Sequence, residues 1–170
     1  MALRFASNAE YTIEVVVTVD PSVQSSAEER ASYLSSGDRA VLQHIDAEAT
    51  RFTLKALSPS EREDAEQRAG AYTRSELGRL LWIEAPNDVH ERARWHHELN
   101  DDERSAMADY QAYLNRVYIE MLSASLILID GEPGSIEQVQ MIRPDDQRAA
   151  TISELVMHIQ RISLLGEQGK

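Results

Sequence analysis

The chain contains no cysteine, which excludes disulfides, thiol catalysis and cysteine-ligated zinc. Proline and glycine are scarce, 5 and 7 of 170 residues, so no long stretch has the composition of a disordered linker. Cations are in deficit as well: 17 Lys and Arg against 29 Asp and Glu give a formal net charge of -12. That balance disfavours contact with a phosphate backbone, and nucleic acid is not an expected partner. Solubility accounts for most of the acidity, with steering toward a basic partner as a lesser role. Long apolar runs are also missing. The longest, Met121 to Ile129, is too short to span a bilayer, and the opening MALRFASNAE lacks the apolar core of a secretory signal. A cytoplasmic protein with no membrane partner is expected.

What remains is ordinary for a folded chain, 42% hydrophobic and 27% charged, and long enough to bury a core without a metal or a disulfide. The clearest β signal is Tyr11 to Asp20 (YTIEVVVTVD), rich in β-branched residues and ended by Pro21. Arg51 to Leu57 alternates, with Phe52, Leu54 and Ala56 on one face, and should pair with that first strand. Arg39 to Ile45 is a weaker strand candidate. Helix starts are marked by capping boxes at Ser26 to Glu29, at Ser58 to Glu61 with Pro59 in the first turn, at Thr73 to Glu76 and at Ser135 to Gln138. The second of these opens a helix through Ala65 and Ala69, and the third one through Leu77, Leu80, Leu81 and Ile83 to Pro86. Gly37 is a plausible stop for the first. After Pro144 a last helix places Ile152, Leu155, Val156, Ile159 and Ile162 on one face and ends near Gly166.

Between these lies the longest predicted helix, from Asp101, capped by Asn100, to Ile129. Its first part carries one seam, Met107, Tyr110, Leu114, Val117 and Met121, whose heptad spacing continues at Ala124 and Leu128; packing within the chain is the commoner use of such a seam. From Met121 onward the predicted helix is apolar on every side, and the turn residues Asp130 to Gly134 stop it. A helix end of that kind needs cover on every side. Met121, Leu122, Leu126, Ile127, Leu128 and Ile129 are therefore the candidate partner-binding residues. The expected class is α+β, predominantly α-helical: a small N-terminal antiparallel β element in residues 1–57, then a helical bundle in residues 58–170, together forming one compact unit.

No catalytic constellation emerges. His90, His96 and His97, with Trp95 and Glu98, lie in a polar connector or short helix at Asn87 to Leu99. Adjacent histidines on a helix diverge by about 100 degrees and no His-Glu-x-x-His spacing is present, so a metal site is not expected. Asp101, Asp102 and Glu103, like Asp145 and Asp146, stand at helix starts, where the helix dipole explains them. No phosphate-cradling glycine loop and no nucleophile elbow can be drawn. A noncatalytic protein without a cofactor is expected.

Taken in order, the strand Arg51 to Leu57 running into SPSERE, the long helix ending in ASLILIDGEP, and the closing segment from Pro144 through ISELVMHI resemble the tail assembly chaperones of long-tailed bacteriophages. The resemblance covers about Ala49 to Gly166. It implies a small acidic, self-associating protein that coats the long helical tape measure protein and delivers it for tail tube polymerisation in the host cytoplasm. It also raises a longer product made by ribosomal frameshifting near Gly169 and Lys170. The competing expectation is a structural virion component, a neck, tail or capsid-associated protein held by symmetric helix contacts. A homo-oligomer follows from either.

Overall fold

A computed structural model describes residues 11–70 and 76–168, with side chains as far as Leu164. The fold is α+β and predominantly helical. In chain order the elements are β1 (Thr12–Val15), β2 (Val23–Gln24), α1 (Ala27–Ser36), a 3-10 turn (Arg39–Val41), β3 (His44–Ile45), β4 (Phe52–Lys55) and α2 (Pro59–Ala69). Then follow α3 (Leu77–Glu84), α4 (Val89–Glu98), α5 (Asp101–Ser125), β5 (Leu126–Ile129), β6 (Glu132–Pro133), α6 (Ile136–Gln140) and α7 (Asp145–Gln168). The chain divides into two compact units, one built from residues 1–65 and 118–170 and the other from residues 66–117. The division departs from a cut at residue 57, because the C-terminal third shares a unit with the N-terminal strands.

In the first unit four strands form an antiparallel sheet in the order β1-β4-β5-β6. The expected pairing of the first strand with Arg51 to Leu57 is present, with Thr12 opposite Lys55 and Val15 opposite Phe52. The predicted helix Asp101 to Ile129 is corrected here: α5 stops at Ser125, and Leu126 to Ile129 is a strand. Four consecutive β-prone apolar residues are ambiguous between a buried helix end and a buried strand. The resolving signal is Asp130-Gly131, both at positive φ (52° and 82°), a two-residue hairpin turn that leads β5 straight into β6. Asp130 also ties the turn to the sheet, its amide donating to the Arg51 carbonyl and its carboxylate accepting from the Arg51 amide, both at 2.8 Å.

α7 lies against β4 and against α1 and α6. Its Leu155, Val156, Ile159 and Ile162 are buried, as are Val15, Leu54, Leu57 and Leu122, which form the centre of this unit. A second cluster, Val16, Val23, Tyr33, Leu42 and Ala49, sits where β2 pairs with β3. The capping boxes at Ser26 and Ser58 form as their spacing requires: the serine hydroxyl accepts the amide three residues on, and the glutamate accepts the serine amide. Gly37 closes α1 in the left-handed region. Thr73 lies outside the described residues. In the second unit, Asn100 and Glu103 cap α5 reciprocally, and Trp82 meets Tyr110 edge-on at 6.4 Å between ring centres.

Candidate functional site

The structure divides the six candidate partner-binding residues between the end of α5 and strand β5. Met121 and Leu122, in the last turns of α5, are buried within the chain. Leu126 faces Leu54, Leu128 faces Thr53 and Ile129 faces Phe52 across the β4–β5 ladder. The ladder shifts register between Thr53 and Leu54, so Ile127 is the extra residue of a bulge, and it is the one of the six that is exposed. The bulge explains the run's lack of a polar face: it lets Leu126 and Ile129 turn toward the same side of the sheet although they are three residues apart.

His90, His96 and His97 are exposed on α4, which Asp88 caps by accepting the amides of His90 and Glu91. Among the described residues no three His, Asp or Glu side chains gather as a metal-ligand set.

α7 also carries a polar ladder. Glu154, His158 and Arg161 follow one another at spacings of four and three, and the first two are buried. The Glu154 carboxylate accepts the Thr18 amide at 2.6 Å and the Thr18 hydroxyl at 2.7 Å, and pairs with Arg30 at 2.6 Å. These partners come from two other parts of the unit, so this carboxylate is a clamp between α7, α1 and the segment after β1. His158 lies 4.9 Å from the Tyr33 ring, and its Nδ1 meets a guanidinium nitrogen of Arg161 at 3.1 Å. Burial, and then the neighbouring Arg161 charge, push the imidazole down to about 4. Burial likewise pushes the Tyr33 phenol up. That phenol accepts the Val16 amide and donates to the Val16 carbonyl, both at 3.1 Å, closing the strand edge just beyond β1.

Arg161 reaches the C-terminus of α1, donating to the Ser36 carbonyl, where α1 has no basic residue of its own in its last turn. It thus supplies the cation that a helix C-terminus favours. A methyl group on Gly37 would overlap its guanidinium, so the glycine is required both by φ +73° and by this close approach. The sequence did carry a signal for the ladder: three ionisable side chains at helical spacing among the apolar residues Ile152, Leu155, Val156, Ile159 and Ile162.

A cavity of about 290 Å³ opens at one end of the sheet. Val17, Phe52, Ile129 and Val139 contribute apolar surface, and Thr50, Gln138 and Gln147 polar groups. The Asp20 carboxylate on its wall accepts the Ser22 and Thr50 amides at 2.8 and 3.0 Å and so organises the loop. The volume suits one side chain or a small molecule.

The feature that fits a macromolecular partner is on α3, within the second unit. Gly78 and Leu81 are buried and Trp82 is half-buried, so one face of the helix packs inward. Leu77, Leu80 and Ile83 point the other way and are exposed, Ile83 at 65%. Eight residues, LGRLLWIE, therefore make a helix that is apolar on both faces and covered on one. Nearby Val89 is exposed at 76%. No family model, curated protein or solved structure matches the chain. No helix among the described residues is long and apolar enough to cross a membrane.

Proposed function

We propose that the chain is a noncatalytic protein-binding factor, and specifically a tail assembly chaperone of a long-tailed bacteriophage that holds the tape measure protein in the host cytoplasm. The observation that carries the binding role is the outer face of α3, where Leu77, Leu80 and Ile83 stand exposed at helical spacing between the charged Glu76, Arg79 and Glu84. Isolated exposed leucines mean little; a row of three on one short helix is the surface that an amphipathic client helix covers. The acidic body keeps a protein with such a face soluble. The particular client rests on the resemblance in the order of parts between Ala49 and Gly166.

Co-expression with the tape measure protein tests this reading directly. The wild-type chain should raise the soluble fraction of the client, and the double variant Leu80→Asp/Ile83→Asp should abolish the rescue while keeping its circular dichroism spectrum. Rescue undiminished by that variant removes α3 from the argument, and no rescue by the folded wild type refutes the chaperone role. Mass spectrometry of purified particles should find the chain absent; stoichiometric presence assigns it instead to the virion.

A further inference from the structure

The cavity at the end of the sheet is built entirely from the first unit, and its walls differ in a way that selects a ligand. Phe52 and Ile129, opposite each other on β4 and β5, form an apolar wall with Val139 of α6. Asp20 and Thr151 supply polar groups, and no Lys, Arg or His among the described residues lines the space. Its volume of about 290 Å³ lies at the small end of the range for ligand pockets and holds about ten non-hydrogen atoms at about 30 Å³ each.

Two of these groups lack the partners that such groups find elsewhere in the unit. Thr151 is 2% exposed, yet its hydroxyl, on the cavity wall, makes no hydrogen bond among the described residues. Asp20 accepts the Ser22 and Thr50 amides, one at each oxygen, and among the described residues no cation pairs with it. By contrast, Glu61 pairs with Lys55 at 2.7 Å and Glu154 with Arg30 at 2.6 Å. A carboxylate has about four lone-pair sites, so each Asp20 oxygen keeps room for a further donor. We infer that this cavity binds a small molecule carrying a protonated amine on an aromatic or apolar body, together with a second hydrogen-bonding group. The ammonium donates to Asp20, the body lies against Phe52 and Val139, and the second group meets the Thr151 hydroxyl.

Charge decides the class. A ligand that fills the cavity takes Asp20 further out of water, and only a cation compensates the carboxylate for the hydration it loses. An anion there is repelled, with no basic side chain on the wall to hold it. The excess of acidic residues over the whole chain adds a general attraction for cations. The site is also formed in advance. Asp20 is fixed by its two amides, Gln138 by the Ser135 amide at 2.8 Å, and Phe52 and Ile129 by the strand ladder, so little ordering is left for the ligand to impose. All of these residues belong to the first unit, and the site stands whether or not α3 binds a client.

Four compounds of one shape test this: tyramine; phenethylamine, which lacks its hydroxyl; tyrosol, in which a hydroxyl replaces the amine; and phloretate, which carries a carboxylate instead. In an NMR titration of the backbone amides, tyramine should shift the Ser22 and Thr50 signals saturably at millimolar concentration or below. Tyrosol should bind about tenfold or more weakly, and phloretate should leave those signals in place. D20N, whose amide oxygen still accepts a backbone amide, should bind tyramine about tenfold more weakly and tyrosol as the wild type does. The tyrosol value shows at the same time that the variant's cavity is intact. T151V should bring tyramine down to the affinity of phenethylamine. Tyramine that shifts neither signal overturns the inference, and so does equal binding of tyramine, tyrosol and phloretate. A folded D20N protein that keeps the wild-type affinity for tyramine overturns it as well, and a T151V protein that still prefers tyramine to phenethylamine removes Thr151 from the site. The four compounds on the wild-type chain decide the outcome even where a variant fails to fold.

Discussion

Replacing His158 with phenylalanine should flatten the loss of stability that the wild type suffers on mild acidification. The imidazole is fully buried, and it is faced by the Tyr33 ring from α1 and by Arg161 on α7, while Glu154 one turn earlier is engaged by Thr18 and Arg30. Its pKa falls from an ordinary 6.5 to about 4 on folding. Between those values the unfolded chain binds a proton that the folded chain refuses, so stability rises with pH across the window and is lost as pH falls from 6.5 toward 4. From about pH 7 to about pH 5 the linkage removes roughly 2 kcal/mol, at 1.36 kcal/mol per pKa unit. With a urea slope of about 2 kcal/mol/M, the midpoint should drop by about 1 M over that interval.

The carboxylates held below their usual 4.5, Glu14 by hydrogen bonding to Arg39, Glu61 by Lys55 and Glu137 by its own backbone amide, lose their contributions only at lower pH. They leave the upper window to the histidine. His158→Phe keeps a ring beside Tyr33 and removes the proton site, so its midpoint should change by less than half as much between the same two pH values. An equal change in both proteins refutes the assignment, as does an NMR titration placing the folded-state imidazole near 6.5.

Gly37→Ala should destabilise the first unit by about 2 kcal/mol or more, since the left-handed backbone alone costs roughly 1 and the added methyl displaces Arg161 from the α1 terminus; urea unfolding by circular dichroism measures it. Glu154→Gln should cost about 1 to 2 kcal/mol near neutral pH, a loss limited because Arg30 is 43% exposed and the amide oxygen still accepts from Thr18. An unchanged midpoint would show that the Thr18 hydrogen bonds alone hold the clamp. At the surface, Leu80→Asp/Ile83→Asp should leave the unfolding free energy from urea titration within about 0.5 kcal/mol of the wild type, as exposed substitutions do, while abolishing client rescue.

Local signals in this sequence carried the elements whose ends are marked by side-chain chemistry. Ser26, Ser58 and Asn100 each satisfy amides that no helical carbonyl reaches, and the helices start where those residues stand. The pairing of Phe52 to Lys55 with β1 followed from alternation. Two things were harder to see. Leu126 to Ile129 has neither the alternation of a half-exposed strand nor the stripe of an amphipathic helix, because β5 lies between two neighbours in the sheet and its bulge breaks the two-residue period. The α7 ladder is hidden because the apolar face of the last helix does not say which of its polar residues the fold also covers. Thr151, Glu154, His158 and Ser163 are buried along with the apolar face, which no count of apolar residues reveals. Ser163 shows why they are tolerated: its hydroxyl donates to Ile159 and accepts the Leu57 amide at 2.9 Å, at the point where β4 has ended and a backbone donor would otherwise go unpaired.

The rule that a helix apolar on both sides needs cover on both sides survives, but it applies elsewhere. At Met121 to Ile129 the chain meets the requirement itself, by leaving the helix after Ser125 and entering the sheet. At Leu77 to Glu84 it does not: Leu81 is buried and Leu80 is left out at 45%.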